Sequence, residues 1–121
     1  MRYFWLIALV SAASFSVMAE EDPAAPADPL RIKAQNNDAQ SQLDLANEFL
    51  HGLNGRNANP TLAVYWFRKA AENGKLEALY NLGLCQEFGI GVNKSRIRAY
   101  ESFRKAGEAG YLPARSRSAV M

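Results

Sequence analysis

From residue 31 onward the apolar positions recur at helical spacing. Ala63, Phe67 and Ala70 stand at i, i+4 and i+7, and Ala99, Phe103 and Ala106 repeat the same triplet, so each segment has one apolar face, with alanines that let helices approach and a phenylalanine that fills the space between them. Between them Ala78, Leu82, Cys85 and Gly89 form a matching stripe. The pattern predicts five helices, near residues 31–52, 60–73, 75–88, 95–109 and 111–119. The punctuation agrees with these limits. Asn59 before Pro60 is an N-cap followed by proline at the first helical position, and Ser95 holds the corresponding cap further on. Gly74 and Gly110 stand where a helix stops through a left-handed residue.

Residues 63–74 and 99–110 are identical at 7 of 12 positions, where composition alone gives about one. The period is 36 residues, and periods of roughly 20 to 50 mark solenoids whose units bury their apolar faces by stacking. The segment LDLANEFLHG (43–52) aligns with YNLGLCQEFG (80–89) once one residue is inserted. Each unit therefore reads as a first helix, a glycine-containing turn and a second helix ending in glycine. Units are expected at about 38–74 and 75–110, followed by a partial unit at 111–121, within a folded domain spanning 31–121. Ser118 replaces the leucine found at position 82, so the last segment reads either as a polar capping helix or as a truncated copy of a longer array.

The segment ALYNLGLCQEFGIGVNKSRIRAYESFRKAGEAG resembles the Sel-one-like repeat, a relative of the tetratricopeptide repeat. The resemblance rests on Ala78, Leu82, Gly83, Gly89, Gly91, Val92, Ala99, Lys105, Ala106 and Gly110 in one unit. In the other it rests on Leu45, Phe49, Gly52, Gly55, Ala63, Trp66, Lys69, Ala70, Ala71 and Gly74. It implies an all-α fold, a short right-handed α-solenoid of antiparallel helix pairs that scaffolds or adapts protein complexes. No catalytic residue is carried over with it. Departures fall at Gln86 (usually tyrosine), Ser102 (usually a large aromatic) and Gly107 (usually alanine), which point to a looser second unit, while Leu53 and Arg56 disturb the first turn.

The first 30 residues do not belong to this pattern. Met1-Arg2, the apolar run YFWLIALVSAA and Val17-Met18-Ala19 have the layout of a secretory signal peptide, with cleavage expected after Ala19. Residues 20–30, with four acids, no bases and three prolines among EEDPAAPADP, read as a disordered acidic spacer. Export places the chain in a periplasm or outside the cell. Residues 31–121 carry 13 Lys or Arg against 8 Asp or Glu, a balance of +5 that the spacer nearly cancels.

Residues for catalysis or metal binding are sparse. The single histidine, His51, lies at a helix end where the macrodipole favours it. One histidine and one cysteine do not make a zinc site, which takes three or four protein ligands; no metal and no cofactor is expected. Cys85 sits on an apolar stripe and reads as a small buried hydrophobe. Some exported members of the resembled family are cysteine-rich, with a disulfide in each repeat, and have been linked to β-lactams; a single cysteine cannot form that staple. The chain is therefore read as a non-enzyme.

Candidate partner-binding residues are Tyr65, Trp66, Arg98, Arg115 and Arg117. The two aromatics serve either as binding anchors or, for Trp66, as packing against the adjacent helix. From Lys94 onward seven bases face two acids, which makes either a solvated helix surface or a basic face for an acidic protein, for lipid headgroups or for the chain's own acidic segment. Nucleic acid is not expected after export, and self-association is an open possibility for so small a core. Asn93-Lys94-Ser95 matches a glycosylation sequon. The leading expectation is an adaptor or scaffold in cell-envelope complexes. An immunity or inhibitor protein against a toxic enzyme is the alternative, and a cell-wall or β-lactam hydrolase stands third.

Overall fold

The computed structural model describes residues 28–121, so the expected signal peptide and nearly all of the acidic spacer lie outside the described residues. Six helices follow one another, and no strand occurs among the described residues: α1 (Pro29–Gln35), α2 (Ala39–His51), α3 (Pro60–Glu72), α4 (Leu76–Phe88), α5 (Arg96–Glu108) and α6 (Leu112–Val120). Each packs on its neighbours in the chain, α2 on α3 and α4 on α5 most extensively, giving two stacked helical hairpins with a shorter helix before and after them.

The single helix expected over 31–52 is two helices. Asn37 takes a left-handed φ of 66°, and Asp38 then caps α2, its carboxylate accepting from the Ser41 N–H at 3.1 Å and also from the Ser41 hydroxyl. A helix cannot run through a left-handed residue, so it restarts. The chain is also helical earlier than expected. Asp28 accepts from the Arg31 N–H at 3.2 Å and Pro29 opens α1, so Pro29 and Leu30 belong to the fold and not to the spacer.

The other caps follow the sequence. The Asn59 side chain accepts from Leu62 N–H at 3.1 Å, and the Ser95 hydroxyl accepts from Arg98 N–H at 3.2 Å.

One buried cluster joins Leu43, Leu45, Ala46 and Phe49 of α2 to Leu62, Trp66, Phe67 and Ala70 of α3 and to Ala78, Leu82 and Cys85 of α4. A smaller one gathers Ala99, Phe103 and Ala106 of α5 with Ala114 of α6. Two glycines set the helix spacing. A Cβ on Gly83 would lie 2.6 Å from Cε1 of Phe103, and one on Gly107 would lie 2.8 Å from the Cα of Arg115. Gly83 thus makes the seat for the Phe103 ring, and Gly107 lets α6 settle against α5.

The departures of the second unit are packed. Gln86 and Ser102 are both buried, and the Ser102 hydroxyl donates to Gln86 Oε1 at 2.7 Å. The two unusual residues satisfy each other, which removes the cost of burying either alone. Arg56 does not disturb the first turn but ties it down: its guanidinium pairs with Glu48 at 2.7 Å and with Asp28, and stands 5.1 Å from the centre of the Phe49 ring.

Candidate protein-binding surface

The turns between first and second helices do more than reverse the chain. Gly91, at a φ of 69°, lies against the carbonyl of Pro60 so closely that a Cβ there would overlap it, and Val92 packs on the cluster that contains Leu62 and Val64. The turn of the second unit therefore covers the start of α3. One period later, Leu62 and Val64 become Arg98 and Tyr100, at the start of α5. Nothing among the described residues covers that start. Ile97 is 75% exposed there and Tyr100 is also exposed.

The outer face of α6 continues this surface. Its Ser116, Ala119 and Val120 are the counterparts of Tyr80, Gly83 and Leu84, which α4 presents to α5. On α6 all three are exposed, Val120 to 84%, and Leu112 is exposed beside them. The result is an open end bearing Ile97, Tyr100, Leu112 and Val120, with Arg96, Arg98 and Arg115 exposed on the same two helices.

The five residues expected to bind a partner are not brought together. Arg98 and Arg115 lie at this open end, although one Arg115 nitrogen also donates to the carbonyl of Gly107 at 3.4 Å. Trp66 is corrected: at 3% exposure it is a core residue of α3 and cannot anchor a partner. Its ring meets Tyr65 edge-on at 5.0 Å, and its buried indole N–H has no hydrogen-bond acceptor among the described residues. Arg117 is half-buried and already engaged within the fold. It donates to Glu87 at 2.8 Å, and its guanidinium stands 5.6 Å from the ring centres of both Phe88 and Phe103, so it braces α6 against the second unit. Tyr65 is half-buried on α3 under the Lys69 ammonium, 5.8 Å away, apart from the open end.

Ile97, Tyr100, Leu112 and Val120 were not singled out from sequence. The signal lay in the register: positions buried in one unit, Leu62 and Val64, return as Arg98 and Tyr100 in the last unit.

No group of three or more histidine, cysteine, aspartate or glutamate side chains among the described residues could hold a metal ion. Among the same residues no helix is long and apolar enough to cross a membrane. His51 is exposed at the end of α2. Burial raises the Cys85 thiol above its ordinary pKa, away from the thiolate form that reacts.

The Sel1 repeat family model matches residues 39–75 and 76–111, the two hairpins. The chain belongs to the Sel1 repeat family. Solved structures agree with the fold. A Sel1 repeat protein from Oxalobacter formigenes matches with a TM-score of 0.73 and 35% identity, over 76% of this chain and 68% of its own. The protective antigen c5321 of uropathogenic Escherichia coli, described as displaying an SLR fold, also matches with a TM-score of 0.73 and 35% identity, over 77% of this chain and 20% of its own. Among curated proteins, DAP3-binding cell death enhancer 1 of Rattus norvegicus is 31% identical over 102 residues, 80% of this chain. The chain spans only a fifth of that relative's length. Sel1 repeats are in general protein-interaction modules without catalysis of their own.

Proposed function

We propose that this Sel1 chain is an exported adaptor that binds another protein in cell-envelope complexes, and that it does so through the open end formed by α5 and α6. The observation that carries the reading is the uncovered start of α5. The second unit's turn buries the equivalent surface of α3, whereas Ile97 and Tyr100 stand exposed among arginines. Aromatic and arginine side chains are the usual anchors of protein interfaces. The signal-peptide layout of residues 1–19 supports export. The rat relative is by its name a DAP3-binding protein, which supports the binding role.

The test is in-cell photocrosslinking from position 100, with position 65 as the control. One abundant adduct from 100 and none from 65, lost when Arg98 and Arg115 are both changed to glutamate while helicity persists, supports the reading. Equal capture from both positions, or capture indifferent to the arginines, refutes this surface. Export is tested separately by fractionation and mass measurement: a periplasmic product starting at Glu20 is expected, and an intact cytoplasmic chain refutes it.

A further inference from the structure

The boundary between Sel1 units is written three times in this chain. Asp38, Lys75 and Tyr111 each open a first helix, and each backbone N–H returns to a carbonyl five residues earlier, those of Lys33, Ala70 and Ala106, at 3.1, 3.0 and 2.9 Å. The residue before each is left-handed: Asn37 at φ 66°, Gly74 at 93° and Gly110 at 108°. The crossing beyond it is also copied. Gln42 donates from its side chain to the Ala34 carbonyl at 2.9 Å, as Arg115 does to Gly107, its counterpart eight residues back. By these marks α1 is the closing part of a second helix, and α6 is a first helix. The described residues thus begin with the back of one unit and end with the front of another, the two pieces of a single unit.

The surfaces of these pieces match. At the head, Ile32 and Leu53 are exposed; at the tail, Ile97, Tyr100, Leu112 and Val120 are exposed; α3, between them, exposes no large apolar side chain, and the remaining two, Phe88 and Ile90, lie in the second turn region. Charge is divided the same way. Residues 28–56 hold four acids and three bases, Asp28 and Glu48 being paired with Arg56, and Glu20, Glu21 and Asp22 precede them in the sequence, whereas residues 94–121 hold seven bases and two acids. Arg104 is paired with Glu108 and Arg117 with Glu87, which leaves Lys94, Arg96, Arg98, Lys105 and Arg115 as the bases of the tail without an ion pair to a carboxylate among the described residues.

We infer that the tail surface takes the head of a second copy of this chain, α6 of one copy and α1 of the next completing a shared unit. This rests on the binding reading of that surface and names its partner. An anionic lipid surface would answer the charge but not the two half-units. The contact joins unlike surfaces, so it propagates into open chains or closes into a ring, rather than stopping at a two-fold dimer. Opposite charge makes it sensitive to salt.

The test is sedimentation of the full chain, as processed by an expressing bacterium, over about a hundredfold range of concentration. It is compared with a head variant, Ile32→Lys with Leu53→Lys, and a tail variant, Ile97→Lys with Val120→Lys. All four positions are exposed, so circular dichroism should be unchanged, which checks the fold. The parent is expected to grow in mean mass with concentration and to shrink in high salt. Each variant alone should be monomeric, and an equal mixture should stop at a dimer, because only one good head and one good tail remain. A parent that stays monomeric overturns the inference, and so does a head variant that still associates by itself. Binding of the monomer to phosphatidylglycerol vesicles through Ile97 and Val120 would assign the tail to lipid instead. If the chain is monomeric while position 100 still captures a foreign protein, the adaptor reading survives and the homotypic one does not.

Discussion

Where the first unit buries Trp66 the second buries Ser102, and where the first has Phe49 the second has Gln86. The two hairpins therefore share a backbone and a period but fill the same slot by different means. The aromatic version of the slot leaves a buried indole N–H without an acceptor among the described residues; the polar version closes a hydrogen bond at 2.7 Å. Each unit is packed from both sides, the first by α1 and the second unit, the second by the first unit and α6. The contrast therefore lies in the side chains: one repeat backbone accepts either an aromatic filling or a hydrogen-bonded polar pair.

The sharpest way to break the comparison is to empty the shared phenylalanine site. Phe67 and Phe103 are both fully buried, and Phe→Ala in a core costs about 3–5 kcal/mol. Phe67→Ala should lie at the top of that range, because its cluster joins four helices, α1 to α4. Phe103→Ala should lie at the bottom, because the smaller cluster can relax at the open end. Urea denaturation followed by circular dichroism gives both numbers; a larger loss for Phe103→Ala would show that the second unit dominates stability.

Next in size is the joint between units. Gly91→Ala combines a left-handed φ with overlap on the Pro60 carbonyl, and overpacking plus left-handed strain amounts to about 2–4 kcal/mol. Gly74→Ala has the same sign of φ but meets open space, so only the backbone term remains, about 1 kcal/mol. Equal losses in thermal unfolding would mean that the turn does not carry the contact between units. The Gln86–Ser102 pair comes third. Gln86→Ala or Ser102→Ala alone should cost about 1–3 kcal/mol through an unsatisfied buried partner, and the double change should cost less than the sum. An additive cycle would mean that the hydrogen bond contributes nothing beyond shape.

Much of this was legible in advance because repeats report the same physics twice. The cap at Asn59-Pro60, the stop glycines and the alanine and phenylalanine stripe are local rules, and each appears in the structure. The same cap signature stands at Asp28-Pro29, but the acids and prolines around it make that segment resemble a spacer, so the expected helix starts at residue 31 and leaves Pro29 and Leu30 outside it. The break at Asn37 was hidden because asparagine adopts a left-handed conformation only some of the time. Trp66 and Arg117 show the wider limit. A sequence reveals that an aromatic or a base exists, whereas burial under α2 or pairing with Glu87 is decided by helices distant in the chain. The open end left only the register signal, Arg98 and Tyr100 in place of Leu62 and Val64, because no motif marks a helix start that nothing among the described residues covers.

The smallest expected effect separates the caps that open the first helices. Asp38 caps α2 with its carboxylate, while Lys75 and Tyr111, at the same place in α4 and α6, make no side-chain cap. Hydrogen bonds from the Ser41 hydroxyl and backbone, with lesser help from Lys33 and Lys75, hold the Asp38 carboxyl below its ordinary pKa. A carboxyl whose pKa is lower folded than unfolded binds fewer protons in the native state, so its stabilisation is complete above the ordinary carboxylate range and is lost as pH falls through the folded value. Asp38→Asn keeps a capping oxygen without the charge. Its unfolding midpoint should therefore lie slightly below the parent's at neutral pH and converge with it in acid, whereas Asp38→Ala should stay below at every pH. Parallel curves for the parent and Asp38→Asn across the acid range would show that the ionised carboxylate adds nothing to the cap, leaving the break between α1 and α2 to Asn37 alone.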